Sequence, residues 1–412
     1  MTRSLHTRWR AGLRRALLGL GCLLVASCYD NNDYRFAPYW LDAGVVVADF
    51  NGDGMLDVAV AQTYVTGWRP NAGYIAIYLQ TAPGTFAAPV RYPIGPDPWA
   101  LASGDLDGTG HVDLVATIPS SRPGVLHSGE ISILHHDPTH PGAFLAAQTI
   151  ATGGGGDAVA IGDVNGDGHA DIVVADGRPA DAHVIVFTQS ATTPGTYSAP
   201  VSLSLGTNRG SNDVAIHDMN GDGRNDIVLA TSDGVAILYQ NTPGGFSAPV
   251  LLTVGINPQG IAVADLDGDL RPDIVVANAG YSPFGGVGGA SVAILLQTVP
   301  GSFAASNITL PDGAVQVGIA DLNHDGVPDI AVLSVEDAPI DAPSRVSILP
   351  QSFTSRGSFS LAATYNTTPE AEFLAVGDLN GDGYTDLVVN NPPSVMTQQP
   401  ATPGTFGVPR GL

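Results

Sequence analysis

The feature that most constrains this chain is a nine-residue acidic motif that occurs seven times. The first copy, DFNGDGMLD, runs from Asp49 to Asp57 and carries acidic or amide side chains at positions 1, 3 and 5 and aspartate at position 9. Calcium needs about six to eight oxygen ligands, and alternate acidic positions in a tight glycine-containing loop can supply them. The motif therefore predicts calcium loops. The other copies begin at Asp105, Asp163, Asp218, Asp265, Asp321 and Asp378.

The period of the motif sets the domain organisation. Successive copies begin 47 to 58 residues apart, and seven such units fill the chain from Cys28 to Leu412. A long fixed period is the signature of a repeat fold, in which each repeat is one supersecondary unit. We therefore expect one repeat domain over residues 35–412, and the repeats leave no room for a separate catalytic domain.

Each repeat shows the same order of short apolar runs. One run leads into the motif (Val45–Asp49), a second leaves it (DVAVAQ from Asp57), and a third follows a variable loop (YIAIYLQ from Tyr74). A turn and an edge-type segment then close the unit, as in PGTFAAPV (Pro83–Val90). Short Val- and Ile-rich runs bounded by Gly, Pro and Asn predict strands, and four strands per repeat predict a propeller blade.

The strand pattern argues against the other common loop of this kind. An EF-hand calcium loop also opens with alternating acidic residues, but helices flank it and a glutamate closes it at position 12. Here position 12 is Val60 in the first copy and an apolar residue in every other copy, within a strand-like run. The EF-hand interpretation is therefore rejected.

The motif D-[LFVM]-[ND]-G-D-G-x-x-D, together with the trailing PG-[TGS]-[FY] segment, resembles the FG-GAP/VCBS repeat family, which includes the propeller heads of integrin α subunits. The resemblance covers all seven repeats. It implies an all-β fold: a seven-bladed β-propeller of four-stranded antiparallel blades, with calcium loops between the first and second strands. Edge-type segments occur at both ends, YRFAPYWL (Tyr34–Leu41) and PGTFGVPRGL, so we expect the terminal strands to lie side by side at the closing seam.

In such loops, positions 1, 3, 5 and 9 supply side-chain oxygens and position 7 supplies a backbone carbonyl, giving up to seven Ca²⁺ sites. The imidazoles of His111 and His169 at position 7 are therefore not expected to be ligands. The predicted ligand sets are Asp49, Asn51, Asp53, Met55 and Asp57; Asp105, Asp107, Thr109, His111 and Asp113; Asp163, Asn165, Asp167, His169 and Asp171; Asp218, Asn220, Asp222, Arg224 and Asp226; Asp265, Asp267, Asp269, Arg271 and Asp273; Asp321, Asn323, Asp325, Val327 and Asp329; and Asp378, Asn380, Asp382, Tyr384 and Asp386.

Two copies depart most from the pattern. Thr109 replaces the position-5 carboxylate of the second loop, which predicts weaker binding there. Leu270 replaces the position-6 glycine of the fifth loop, where a left-handed backbone costs a side-chain-bearing residue about 1–2 kcal/mol. We expect distortion in the fifth loop. His324 at position 4 of the sixth loop is expected to matter less.

The amino terminus carries a processing signal. A basic segment precedes the apolar run Ala16–Ser27, which is too short to span a bilayer comfortably and predicts a signal peptide at residues 1–27. The sequence VASC ending at Cys28 resembles the lipobox of bacterial lipoproteins, which implies lipidation of Cys28 and a tether over residues 28–34. Tyr29 then implies outer-membrane or cell-surface delivery. The alternative is an ordinary signal with a periplasmic or secreted product.

The charge balance limits the partners. The chain has 16 basic and 39 acidic residues, a net charge of −23, and most of the acidity lies in the seven loops. Nucleic-acid partners require basic surfaces, so they are excluded. The expected contact with a membrane is through the lipid alone, and the expected state is a monomer.

Familiar catalytic motifs are missing from the sequence, and we predict that the chain is not an enzyme. The segment HHDPTH (His135–His140) could bind a transition metal, but a solvated turn is favoured because no further ligand pattern is visible nearby.

Exposed aromatic and arginine side chains on variable loops suit recognition of a glycan or a protein. Three functions stay open: a surface binding or adhesion module, which is favoured, a glycan-binding lectin, and a propeller polysaccharide lyase. Packing residues are the alternative explanation for the candidate surface. Its residues are Trp68, Arg69, Trp99, Arg122, Tyr281 and Phe284.

Overall fold

The computed structural model describes residues 39–66, 69–119, 121–122, 125–126, 129–177, 183–206, 209–280, 289–335 and 343–412. Within these ranges every regular element is a strand, and no helix long and apolar enough to cross a membrane is found there. The predicted signal peptide, the tether and Cys28 lie outside the described residues.

Seven four-stranded antiparallel sheets follow one another along the chain, and each takes its strands in sequence order from the innermost to the outermost. The strands of blades 1 to 4 are Tyr39–Ala48, Asp57–Thr66, Arg69–Tyr78 and Val90–Ile94; Leu101–Gly104, Asp113–Ile118, Glu130–Leu134 and Gln148–Ala151; Ala158–Gly162, Asp171–Ala175, His183–Phe187 and Val201–Ser204; and Ser211–His217, Asp226–Thr231, Gly234–Leu238 and Val250–Leu252.

Blades 5 to 7 repeat the arrangement, so the prediction of an all-β, seven-bladed propeller is confirmed. Their strands are Pro258–Ala264, Asp273–Asn278, Ser291–Val299 and Ser302–Thr309; Gly313–Ala320, Asp329–Val335, Pro343–Leu349 and Ala363–Pro369; and Leu374–Gly377, Asp386–Val389, Ser394–Met396 and Arg410–Gly411. Short hairpins lie outside the blades: Gln80–Ala82 with Thr85–Phe86, Ser121–Arg122 with Val125–Leu126, and Gln240–Thr242 with Gly245–Phe246.

The core lies between the blades. Seven apolar clusters each take residues from two neighbouring blades, and the series returns from blade 7 to blade 1. The second strands are buried except near the end of the long strand of blade 1, because they lie in the middle of each blade and contact a neighbouring sheet on both faces. This explains why their sequences are continuous runs of Val, Ile, Leu and Ala instead of alternating with polar residues.

The closing seam differs from the expected one. The first strand of blade 1 begins the ring as an innermost strand, and Arg410–Gly411 is the outermost strand of blade 7. The terminal strands therefore do not pair, and the expectation that they lie side by side is wrong. The seam is closed by apolar packing, with Leu412 against the cluster around Val45 and Val388, and by a 3.0 Å hydrogen bond from Asn390 Nδ2 to the Asp42 carbonyl.

Candidate functional site

All seven acidic loops join the first strand of a blade to its second strand, as the family resemblance implied. The seven first strands form the inner ring of the propeller and lead into the loops in the same way in every blade. The loops therefore lie together on one face, while the connections between second and third strands leave from the opposite face.

The aspartate at position 1 organises each loop through its backbone. In the first loop, Asp49 Oδ1 accepts the N–H of Gly52 at 2.7 Å and of Asp53 at 3.1 Å, and Oδ2 accepts the N–H of Gly54 at 2.8 Å. The carboxylate thus lies at the centre of a tight turn instead of pointing into solvent. Gly54 has φ 87°, a left-handed conformation that glycine adopts without strain.

Positions 3 and 5 continue the turn. Asn51 Oδ1 accepts the N–H of Asp53 at 2.9 Å, and Asp53 Oδ1 accepts the N–H of Met55 at 2.8 Å. The second of these bonds, from position 7 to the position-5 carboxylate, is made in six of the seven loops. The second loop differs because Thr109 has no carboxylate to accept it.

The aspartate at position 9 is buried and connects the loop to the end of the third strand. Asp57 Oδ2 accepts the N–H of Phe50 at 2.9 Å, and Oδ1 accepts the N–H of Gln80 at 2.7 Å. The same pair of bonds occurs in all seven blades. This carboxylate therefore connects the acidic loop to the end of the third strand, in addition to being a predicted ligand. We call the aspartate at position 9 the position-9 bracket.

The pKa of Asp57 is raised to about 6, mainly by burial and to a smaller extent by the charges of Asp53 and Asp49, although two backbone N–H groups act the other way. The cause and the direction are the same at position 9 of five other loops, each with a pKa of about 6: Asp171, Asp226, Asp273, Asp329 and Asp386. A bound cation would remove both unfavourable contributions, because it replaces lost hydration and neutralises neighbouring carboxylates.

The donor set of the loops fits calcium. Each loop presents carboxylate, amide and carbonyl oxygens from alternate positions, and these are hard ligands. In the fifth loop, carboxylate oxygens of Asp265, Asp267 and Asp269 lie within 4.8 Å of one another. Leu270 there adopts φ 67°, the strained conformation expected, and is 91% exposed. Its N–H still bonds to Asp265 Oδ2 at 2.9 Å, so the loop keeps the hydrogen bonding of its sister loops.

Position 7 has a second role in two loops. Arg224 Nη2 lies 2.8 Å from Asp222 Oδ2, and its Nε donates to the Gln240 carbonyl at 3.3 Å. Arg271 contacts Asp269 and the Gln297 carbonyl in the same way. The sequence predicted only a carbonyl donor at these positions. The structure adds a guanidinium that neutralises one carboxylate of each loop.

A recurrent glutamine was missed by the sequence analysis. Gln351, at the end of the third strand of blade 6, donates through Nε2 to the Leu266 and Pro328 carbonyls, both at 2.8 Å, and accepts the Gly357 N–H at 3.0 Å. It therefore links the loop of blade 5 to that of blade 6. Equivalent glutamines lie in every blade except the second, which has His136. The glutamine could have been predicted from the sequence, because most of the third-strand runs end in Gln.

The histidines of HHDPTH separate into two groups. His140 is 74% exposed at its side chain and its Nδ1 lies 2.9 Å from Asp137 Oδ2, in a turn as predicted. His135 instead reaches the second acidic loop, where its Nδ1 lies 3.2 Å from Asp113 Oδ2 and 3.8 Å from Asp107 Oδ2. A hydrogen bond from the imidazole to Asp113 raises the pKa of His135. His136 stacks on His111 with ring centroids 4.4 Å apart.

The predicted ligand surface is mostly outside the structure. Trp68, Tyr281 and Phe284 lie outside the described residues, and Arg69 and Arg122 lie in strands whose side chains are not described there. Trp99 is half-buried and packs edge-on against Phe373 of blade 7, with ring centroids 5.4 Å apart. Trp99 therefore makes a packing contact across the closing seam.

A different aromatic cluster occupies the face opposite the acidic loops. Trp40 is 37% exposed and contacts Tyr64 and Tyr74, with ring centroids 4.8 and 5.6 Å away. The guanidinium of Arg91 lies 4.3 Å from the centre of the Trp40 ring, a favourable cation–π distance.

This aromatic cluster is held by buried polar groups. Arg91 Nε donates to Gln62 Oε1 at 2.9 Å, and Gln62 Nε2 donates to Asp42 Oδ1 at 2.6 Å. Gln62 and Asp42 are buried. The first three strands of blade 1 have ten residues each, whereas those of blade 7 have three or four, so this end of blade 1 extends past its neighbour.

Comparison with protein families finds the same repeat. The family model described as FG-GAP-like repeat matches residues 49–116, 124–174 and 218–276, and that described as FG-GAP repeat matches residues 371–404. Six of the seven acidic loops lie inside these segments.

Two curated proteins are similar in sequence. The chain is 28% identical over 178 residues to integrin alpha pat-2 of Caenorhabditis briggsae, which covers 37% of this chain and 14% of that protein. It is 26% identical over 285 residues to the phosphatidylinositol-glycan-specific phospholipase D of Bos taurus, which covers 66% of this chain and 28% of that protein. The matched segment is therefore less than a third of either relative's length.

Among solved structures, the rhamnogalacturonan lyase YesW superposes with a TM-score of 0.51 at 11% identity, covering 91% of this chain and 74% of that one. At that identity the likeness shows the fold alone. The prediction that the chain is not an enzyme is wrong, since this lyase and the phospholipase D relative are enzymes that share the fold or the repeat. The lack of familiar catalytic motifs therefore does not exclude catalysis.

Proposed function

Because the chain belongs to the FG-GAP repeat family, we propose that it is a calcium-binding β-propeller that acts as a binding module of the cell envelope. The observation that carries the proposal is the repeated geometry of the acidic loops. In each loop a position-1 carboxylate is enclosed by backbone N–H groups, and further oxygen donors follow at alternate positions.

Calcium has a structural role in this proposal. Six of the position-9 aspartates are destabilised as anions by burial beside other carboxylates, so the metal-free fold holds unfavourable negative charge at six loops. Extracellular calcium modules bind with dissociation constants of about 10⁻⁴–10⁻³ M, so millimolar calcium outside the cell is sufficient to fill such sites. Up to seven Ca²⁺ ions would then hold the first and second strands of the blades together.

The proposed location rests on the amino terminus. The signal-like segment and the lipobox-like VASC sequence support export and attachment through a lipid on Cys28, at the outer membrane or the cell surface. Mass spectrometry of the mature protein would test this. A diacylated amino-terminal Cys28 is expected, and an unmodified terminus elsewhere would contradict it.

The ligand is proposed to be a glycan, and the observation that favours it is the aromatic cluster of blade 1. Tryptophan and tyrosine rings offer apolar faces with polar edges, and Arg91 adds a hydrogen-bond donor held by Gln62. Such a combination suits sugar rings, which present both C–H faces and hydroxyl groups. The alternative is a protein partner at the same face.

A glycan array with the calcium-loaded protein tests the choice. Binding that is lost in Trp40→Ala and in Arg91→Ala, but kept in Leu251→Ala on the exposed outermost strand of blade 4, would support the glycan proposal. Equal binding by all these variants would contradict it. Bound oligosaccharides should also be examined for cleavage, because a rhamnogalacturonan lyase shares the fold.

A further inference from the structure

The second blade differs from its six sisters at one place in the loop network. The residue that immediately precedes the recurrent glutamine, at the end of the third strand, is apolar, aromatic or hydroxyl-bearing in the other blades: Leu79, Thr188, Tyr239, Leu296, Pro350 and Thr397. In blade 2 this residue is His135, and the acidic loop facing it has lost its position-5 carboxylate to Thr109. Blade 2 therefore lacks one carboxylate ligand, at Thr109, and has one additional imidazole, that of His135.

The imidazole is placed within reach of two loop carboxylates. His135 Nδ1 lies 3.2 Å from Asp113 Oδ2 and 3.8 Å from Asp107 Oδ2, and the three ligand atoms all lie within 4.8 Å of one another. Two ligand atoms on one tetrahedral zinc ion are separated by about 3.3 Å, given bond lengths of about 2.0–2.1 Å. The observed separations therefore suit a shared ion with small side-chain movements.

Further nitrogen donors lie beside this group. His136, 5% exposed, donates its backbone N–H to Asp113 Oδ1 at 2.7 Å, and its Nδ1 is buried without a hydrogen-bond partner among the described residues. Its ring stacks on that of His111 in the loop itself. Three of the chain's ten histidines thus gather at one of seven loops.

The donor types decide which ion fits. Calcium prefers a shell of oxygens only, whereas imidazole with carboxylate suits zinc and its neighbours in the first transition series. We propose that blade 2 binds a transition-metal ion of the zinc class through Asp107, Asp113 and His135. This site would differ in metal from the other six loops, and it does not require that those loops bind calcium.

Cobalt(II) absorption provides the test, because Co²⁺ replaces zinc and its visible spectrum reports the ligand set. The full chain, stripped with chelator and returned to millimolar calcium, should bind one equivalent of Co²⁺ with a visible ligand-field band, and stoichiometric Zn²⁺ should abolish the band. Displacement of Co²⁺ by millimolar calcium would overturn the proposal, because the site would then be an ordinary calcium loop.

Variants identify the ligand. His135→Leu introduces the residue that blades 1 and 5 carry at this position and should weaken Co²⁺ binding by at least about 100-fold, since a ligand lost costs more than a supporting residue. His135→Gln is a second variant in case leucine impairs folding. His140→Gln and His136→Gln are controls that should keep the band.

The outcomes separate this proposal from the calcium proposal. Equal Co²⁺ binding by His135→Leu, His135→Gln and the parent chain would overturn the assignment, as would loss of the band in His136→Gln alone. The calcium dependence of the melting temperature, recorded on the same samples, tests the calcium loops independently. A calcium-stabilised chain without the cobalt band would refute the zinc-class site only.

Discussion

The two faces of this propeller differ in how closely the blades resemble one another. On the acidic-loop face, seven blades repeat one arrangement, so that a position-1 carboxylate, a position-9 bracket and a third-strand end recur almost unchanged. On the opposite face the blades differ, and blade 1 alone among the described residues gathers Trp40, Tyr64, Tyr74 and Arg91. The repeat therefore specifies the scaffold and its acidic loops, whereas the surface proposed for recognition consists of residues that do not recur from blade to blade.

Calcium removal should have the largest effect, because it acts on the whole loop face. Tenfold excess of calcium over its dissociation constant contributes about 1.4 kcal/mol per site, so several sites together rival the stability of a domain. We expect EDTA to lower the melting temperature by more than about 10 °C. Differential scanning calorimetry measures this, and magnesium at the same concentration serves as control. An unchanged melting temperature in EDTA would contradict the proposal that calcium stabilises the loops.

Replacing a position-9 bracket should be the most damaging single substitution. Asp329→Ala leaves the Leu322 and Gln351 N–H groups unpaired in the interior, which costs about 1–3 kcal/mol each. The matched control is Asp325→Ala at exposed position 5, which should lose calcium affinity but little stability in EDTA. Urea denaturation in EDTA compares the two variants. Equal losses would show that position 9 is a ligand only.

The interblade glutamine should come next. Gln351→Leu removes the donated bond to the Leu266 carbonyl of blade 5 and two bonds within blade 6, with an expected loss of about 1–3 kcal/mol. Gln399→Leu, at an exposed position in blade 7, is the control and should change stability by less than about 0.5 kcal/mol. Urea midpoints of the two variants would be compared. A small effect at Gln351 would mean that apolar packing alone holds neighbouring blades together.

The pH dependence should distinguish metal-free from metal-loaded protein. Six position-9 aspartates have a pKa raised to about 6 in the folded chain, above about 3.9 for an unfolded aspartate. The folded state therefore binds more protons, so this contribution to stability is complete below about pH 4 and is lost as the pH rises through 6. In EDTA, thermal stability should fall over that range, and calcium should remove the fall. A parallel pH profile with and without calcium would contradict this.

The opposite face should show the smallest effect on stability. Trp40→Ala deletes a ring that is 37% exposed, so we expect a loss below about 2 kcal/mol and an unchanged calcium response. The same substitution should abolish glycan binding. Melting curves and the glycan array together measure the contrast. A large loss of stability with unchanged glycan binding would place Trp40 in the core and remove the recognition surface.

The sequence predicted the architecture because period and strand composition act together. Seven acidic copies fixed the number of blades, and an apolar residue at position 12 excluded flanking helices. The closing seam could not be predicted, since segments that resemble edge strands occur at both ends and a repeat has no intrinsic starting point. Only the observed pairing shows that Tyr39–Ala48 is an innermost strand.

The rest of the site depends on register, which spacing alone does not give. His135 lies 22 residues from Asp113, and the two meet only because the third strand ends opposite the start of the second. Arg91 stacks directly on Trp40 and is held there by Gln62, which pairs with Asp42 on the adjacent strand. The motif predicted which loop positions are ligands. It did not predict that the position-9 carboxylate also accepts two backbone hydrogen bonds.

The most direct test of the central claim is to count bound calcium. Equilibrium dialysis of the full chain against millimolar calcium, followed by elemental analysis, should give about six to seven calcium ions per chain, because each acidic loop offers its own oxygen donors. Supplying zinc as well should give one zinc and about six calcium ions per chain. A content of none or one calcium per chain would contradict the account, since the loops would then be acidic turns without metal.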